Sequence, residues 1–330
     1  MSYQSVGLKL GGLRSLGGWR PDRFTALIFH RVVPEKDPMV PGEVYAAVFD
    51  SLIGMLADTY NVLPLDDALE LRRAGKLPPR AVVITFDDGY EDNFSVALPI
   101  LKRHGVVAAF FVASGFLSGG MMFNDRVRET IRLTQRDELN LDWLDLSVRK
   151  LGPVETRERL VEELLRRIKY MSLDVREAAL VRLEADAGVS LPTGMMMSPA
   201  QLRGLADAGM IVGGHTVNHP ILSVLDDKGA REEIERNRDE LGSILGHVPR
   251  FFAYPNGKPG ADYSARDVEL VRQAGYEAAF STSIGSVGPE SDVFQLPRFT
   301  PWDRTAGRFA LRLAHNFLRV GAPQLVESVR

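Results

Sequence analysis

AVVITFDDGY, residues 81–90, sets six residues of strand character directly before two adjacent carboxylates, a glycine and a tyrosine. A continuous apolar, β-branched run of this length fits a strand buried on both faces, as in a parallel sheet. Six similar runs lie outward from it: Phe24–Phe29, Val106–Val112, Met210–Gly213, Arg250–Tyr254, Ala278–Ser281 and Val293–Leu296. Helical patterns separate them, over Tyr45–Tyr60, Asn93–His104, Ser198–Ala208, Asp226–Leu245 and Ser264–Ala274. Ser198 before Pro199 makes an N-cap followed by proline at the first helical position, and Gly105, Gly209, Gly246 and Gly275 stand where helices stop. Alternating strand and helix imply an α/β fold with a parallel sheet, open or closed into a barrel. The chain reads as a single domain, 1–330. An insertion of approximately 124–188 carries helical patterning, clearest over Glu155–Met171, with no strand expected. A C-terminal helix is expected over approximately 305–330.

The 330 residues carry 45% hydrophobic and 25% charged side chains, enough for a large packed core. With 40 Lys plus Arg against 43 Asp plus Glu, nothing in the net charge attracts nucleic acid. Cysteine is absent, which excludes disulfides, thiolate metal ligands and a Cys nucleophile. No apolar run is long enough for a transmembrane helix, and residues 1–20 lack the apolar core of a secretory leader, so a cytoplasmic location is the expectation. Arg308–Arg319 mixes Arg with spaced Phe and Leu; docking on the domain is favoured over contact with a membrane surface.

The ends of the expected strands concentrate polar residues: His30, Asp87 and Asp88, His215, the turn Pro255-Asn256-Gly257, and Arg298. In parallel α/β folds that rim binds ligands. Adjacent carboxylates repel unless a cation neutralises them. His215-Thr216-Val217-Asn218-His219 carries two imidazoles four residues apart, a spacing that lets both face one point. Two histidines and a carboxylate form a common hydrolytic zinc set with a coordination position left for water.

The combination TFDDGY, HTVNH and FFAYPNG resembles the NodB-type polysaccharide deacetylases, carbohydrate esterase family 4, from about Thr25 to Pro301 without the insertion. The resemblance implies a distorted (β/α)7 barrel and one divalent metal ion, usually Zn2+, with Co2+, Ni2+ or Mn2+ as alternatives. By position it makes Asp88, His215 and His219 the metal ligands and Asp87 the catalytic base, and the substrate an N-acetylated carbohydrate. Asn256 is a candidate donor, through its backbone N–H, to a developing oxyanion. Two positions depart from the family pattern. Ala253 stands where an Arg commonly orients the base, and Leu296-Pro297-Arg298-Phe299 lacks the late histidine that acts as general acid. Arg298 is the expected replacement for the former and His30 for the latter, a pattern similar to the exopolysaccharide-associated subgroup. Tyr90, Tyr254, Trp302 and Asp125 are candidate substrate contacts, although aromatics beside a strand end are more often core. Two other readings stay open: the same metal site acting on another acyl substrate, as an O-acetyl esterase, deformylase or small amide hydrolase, and a sugar-binding protein impaired in catalysis.

Overall fold

The computed structural model describes residues 22–301 and 306–319. Seven strands form its centre: β1 (Phe24–Phe29), β2 (Ala81–Phe86), β3 (Ala109–Val112), β4 (Ile211–Gly214), β5 (Phe251–Ala253), β6 (Ala278–Ile284) and β7 (Leu296–Phe299). Each pairs in parallel with the next in sequence. Parallel pairing of β7 with β1 closes the ring. The fold is therefore a closed seven-stranded parallel barrel. The two-residue strand Asn61–Val62 pairs beside Ala81 and Val82 at the start of β2, whereas β3 joins β2 at its end, at Thr85 and Phe86.

Side chains alternate along each strand, and the buried clusters separate by that period. Phe24, Ala26, Ala81, Val83, Ala109, Phe111, Phe251, Ala253, Ala278, Phe280 and Leu296 share one cluster, which fills the barrel. Leu27, Phe29, Val82, Ile84, Phe86, Phe110 and Val112 share another with residues of the surrounding helices. Gly213 belongs to the inward set, where a Cβ would lie 2.5 Å from Phe111 Cδ1 and 2.8 Å from the Phe251 carbonyl oxygen.

Outer helices are α1 (Ala46–Thr59), α2 (Leu65–Arg73), α3 (Leu98–Arg103) and, beyond the insertion, helices whose caps follow the sequence signals. Before α3 the chain makes a π-helical turn over Asn93–Ala97; Pro99, which has no N–H to give, sits in the first turn of α3. The insertion opens with α4 (Phe123–Leu133) and continues through α5 (Val154–Ile168) and α6 (Leu173–Ala187). After it come α7 (Pro199–Asp207), α8 (Asp227–Leu245), α9 (Ala265–Gln273) and α10 (Ala306–Leu318). Reciprocal capping boxes close the starts of α7 (Ser198 with Gln201) and α9 (Ser264 with Asp267). Phe309, Leu313 and Phe317 of α10 pack into the outer core, so the helix docks on the domain, while Leu311 and Leu318 stay exposed. Among the described residues no helix is long and apolar enough to cross a membrane.

Two expectations need correction. The insertion is not purely helical: Glu138–Leu141 and Leu146–Lys150 form an antiparallel hairpin. Leu139 and Leu141 alternate inward against Leu164, Ile168 and Leu183, so a period of two was present but only four residues long. The last strand is Leu296–Phe299, not Val293–Leu296. Asp292 accepts from the Phe294 N–H and the Gln295 side chain, folding 292–295 into a turn, so Arg298 lies within the strand.

Gly213→Ala, which forces a methyl group into the Phe111 ring, is expected to lower unfolding stability by about 1–3 kcal/mol, read as a lower urea midpoint at unchanged slope.

Candidate metal centre

His30, Asp87 and His215 are each the first residue after a strand, β1, β2 and β4 respectively, and each continues that strand's inward parity. The alternation that fills the barrel thus aims these three side chains into its mouth. Asp88 follows with φ 78°, and Thr216, His219 and Asn256 also lie at positive φ, 64°, 50° and 57°. Non-glycine residues in this region are uncommon and strained, so four around one cleft mark a backbone held for function.

Asp88, His215 and His219 come together. Their donor atoms lie within 4.8 Å of one another, the one such grouping among the described residues. Asp88 Oδ1 is 3.3 Å from His215 Nε2 and 3.4 Å from His219 Nε2. His215 Nδ1 lies 2.7 Å from the Ala253 carbonyl oxygen and donates to it, leaving a bare lone pair on Nε2. Burial pushes His219 down to about 3, against the pull of Asp88, so it is neutral at ordinary pH. Asp88 Oδ1 is buried without a hydrogen-bond partner. Lone pairs at such distances repel unless a cation lies between them. Ligand bonds of about 2.0–2.1 Å in a tetrahedron put ligand atoms about 3.4 Å apart, and the two measured edges match that spacing. The residues present fit a divalent ion of the zinc type.

Asp87 is held differently. Arg298 donates to it through both terminal nitrogens, 2.6 Å to Oδ1 and 2.7 Å to Oδ2. Arg298 is itself buried, with Nε donating 2.9 Å to the Ser281 carbonyl. Burial, the largest single influence, would raise the Asp87 pKa; the Arg298 charge and hydrogen bonds, with His215 and His30, together outweigh it and hold the carboxyl below its ordinary range. At His30, burial opposes protonation, but the carboxylates of Asp88, Asp87 and Glu43 together raise it above the ordinary histidine value, against Arg298.

The histidine loop leans on α8. Glu233 accepts from the Val217 and Asn218 N–H groups at 2.9 and 2.8 Å. Asn237 accepts the His215 N–H at 3.0 Å and donates to Val112, Ser114 and Thr216. Sequence reasoning missed both residues. The available signal was their position: they share the buried stripe of Ala230, Ile234 and Leu241, where polar side chains need a partner.

A cavity of about 290 Å³ covers the centre, lined by His30, Asp87, Asp88, His215, His219 and Asn256 from the barrel and by Phe123, Asn124, Leu165, Arg166 and Lys169 from the insertion. Lys169 Nζ spans to Asp262, 3.6 Å away, on the barrel side. A second cavity of about 570 Å³ shares the Phe123 wall and continues along α6 and the 115–121 loop. Three proposed substrate contacts do not line the catalytic cavity. Tyr254 is fully buried, stacked on Tyr263 at 3.9 Å with its hydroxyl donating to the Phe294 carbonyl; it is core. Tyr90 and Asp125 are buried beneath the rim and bonded to each other, 2.6 Å. Trp302 lies outside the described residues.

Comparison with known proteins adds the following. The polysaccharide deacetylase family profile matches residues 74–142 and 153–279, well over half of the chain. A Bacillus subtilis protein described as a polysaccharide deacetylase, YxkH, is 33% identical over 95 residues, 28% of this chain and 33% of that protein, so the match spans a third of the relative's length. Two solved structures share the fold: the Streptococcus pyogenes deacetylase PplD in complex with acetate (TM-score 0.60, 17% identity, covering 89% of this chain and 99% of that one); and IcaB from Ammonifex degensii (TM-score 0.54, 19% identity, 89% and 96%). The matched residues contain both the Asp87-Asp88 turn and the His215–His219 loop, and the chain belongs to the polysaccharide deacetylase family.

Proposed function

We propose that this protein is a divalent-metal-dependent N-deacetylase acting on amino-sugar residues of an oligosaccharide or polysaccharide. The observation that carries this reading is the unpartnered Asp88 oxygen facing two imidazole nitrogens, beside a second carboxylate that an arginine keeps ionised. Asp88, His215 and His219 hold the ion, and the nitrogen-rich donor set favours Zn2+. Such an ion, when bound, acidifies water and polarises an acyl oxygen.

The other roles follow from what the side chains can do. Asp87, ionised and fixed at both oxygens by Arg298, takes the proton from the attacking water. The Arg298 fork also fixes the rotamer of Asp87, so the proton acceptor is in place before substrate arrives. His30, whose protonated form the three nearby carboxylates favour, delivers a proton to the departing amine. The Asn256 turn, held by Thr282 donating 2.8 Å to the Asn256 carbonyl, sets its N–H and side-chain amide at the cavity for the charge developing on the acyl oxygen. An acid after the first strand and an arginine in the last favour the exopolysaccharide-associated subgroup. The second cavity beyond Phe123 leaves room for a neighbouring sugar, which supports a chain-like substrate over a monosaccharide.

The direct test is acetate release from N-acetylated oligosaccharides by metal-free protein reconstituted with Zn2+. Release is expected with the ion and not without it, and Asp87→Asn is expected to lose about 10²–10⁴-fold in kcat while still binding zinc. Full activity after exhaustive chelation would overturn the reading. His30→Ala is expected to lower kcat by a similar factor with metal content unchanged; near-normal turnover would remove it from the mechanism. Arg298→Met leaves Asp87 buried without its cation, so its pKa rises and the acidic limb of the kcat/KM profile moves towards neutral pH. An unmoved limb would show that Asp87 is not the titrating base. The same variant is expected to lose about 3–5 kcal/mol of stability by stranding a buried carboxylate.

A further inference from the structure

One group at the catalytic cavity is unused by the mechanism above. Asn124, in the first turn of α4, lines the cavity together with Asp87, Asp88, His30 and Asn256. Its Oδ1 is buried and has no hydrogen-bond partner. Its orientation follows from the neighbouring tyrosine. The single hydroxyl hydrogen of Tyr90 goes to Asp125 Oδ2 at 2.6 Å, so the Tyr90 oxygen offers only lone pairs to Asn124. Asn124 therefore turns its Nδ2 to Tyr90, 3.4 Å, and leaves the oxygen as a free acceptor. Asp125 is in turn held by Arg128 at 3.1 Å, which ties the arrangement to α4. Across the same cavity Asn256 has the opposite deficit: its Nδ2 is a buried donor without a partner.

A buried acceptor left empty costs free energy, and a ligand carrying a donor at that place recovers it. An acetamido group has one N–H donor and one carbonyl acceptor, the complement of the Asn124 oxygen and the Asn256 amide. An O-acetyl ester of the same sugar has the carbonyl and no donor. On the deacetylase reading above, we propose that Asn124 accepts the N–H of the scissile amide and is the residue by which this cleft prefers N-acyl to O-acyl groups. A site built around a substrate N–H rejects the analogue lacking it because its own acceptor stays unpaired. Holding the N–H also fixes the rotation of the acyl group, so Asn124 is a substrate contact supplied by the insertion and not by the barrel motifs.

The test uses the zinc-reconstituted full chain and one pair of oligosaccharides, identical except that the 2-acetamido group of one is a 2-O-acetyl ester in the other. The readout is the ratio of kcat/KM for amide to that for ester. Asn124→Leu is expected to lower this ratio about ten- to a hundredfold with the ester rate little changed. Asn124→Asp, which keeps an oxygen at the same place, is expected to retain a preference for the amide. Equal losses on both substrates would assign Asn124 to holding α4 against Tyr90, or to a sugar hydroxyl common to both, and would overturn the proposal; so would an unchanged ratio. Calorimetric binding of both sugars to Asp87→Asn, with and without Asn124→Leu, separates this inference from the deacetylase reading. If the parent enzyme cleaves neither sugar, that reading fails. Selective weakening of acetamido-sugar binding would then still support the contact, and equal weakening would sink it.

Discussion

Crowding lone pairs and negative charge into the mouth of an apolar barrel is costly, and the arrangement of this molecule follows from meeting that cost. Asp87, Asp88, His215 and His219 offer oxygen and bare nitrogen acceptors within a cleft largely shut off from water. Two devices meet the cost. Arg298 threads up from inside the barrel and neutralises Asp87 through a fork. The other three residues converge on a point that a divalent ion fits. Neighbouring carboxylates are thereby divided: Asp87 is committed to a guanidinium, and Asp88 keeps an oxygen without a hydrogen-bond partner. The departure of Ala253 from the family pattern is intelligible in these terms. A cation beside Asp87 need only reach the same point, and in this chain it comes from β7, two strands further round the ring from β5, where Ala253 sits.

The barrel and its insertion contribute different things. Strand parity aims His30, Asp87 and His215 into the barrel mouth, because the first residue after β1, β2 and β4 must point where the alternate core residues point. The insertion has its own hydrophobic core around Leu164, Ile168 and Leu183, and presents Phe123, Asn124, Leu165, Arg166 and Lys169 to the cleft. Polar links join it to the barrel: Tyr90 to Asp125 and Asn124, Arg132 to Asp37, Arg176 to the Asn218 carbonyl, and Lys169 to Asp262. The barrel thus supplies the Asp-His-His grouping and the Asp87–Arg298 pair, and the insertion supplies part of the cavity wall.

Much of this was legible in the sequence, and the reasons for success and failure are physical. AVVITFDDGY and HTVNH are local signals: a buried strand followed at once by its functional residues, so register and chemistry are fixed within ten residues. Helix starts at Ser198 and Ser264 were equally local. The hairpin at 138–150 escaped because two short strands carry too few alternations to stand out among helices. Tyr254 misled because adjacency to a motif says nothing of direction: one residue past β5 it has outward parity and packs on Tyr263. Glu233 and Asn237 lie in a strongly charged helix where only the three-dimensional stripe reveals which polar residues face in.

The left-handed backbone at Asp88, Thr216, His219 and Asn256 has a bearing on how the site meets its ion. These conformations are braced by closed strands, by Glu233 and Asn237, and by the Thr282 clasp. The three donor residues are thus positioned by backbone that is itself tied down, and on the metal-dependent reading proposed above cations of different size would meet one spacing and would be told apart by how well each tolerates it.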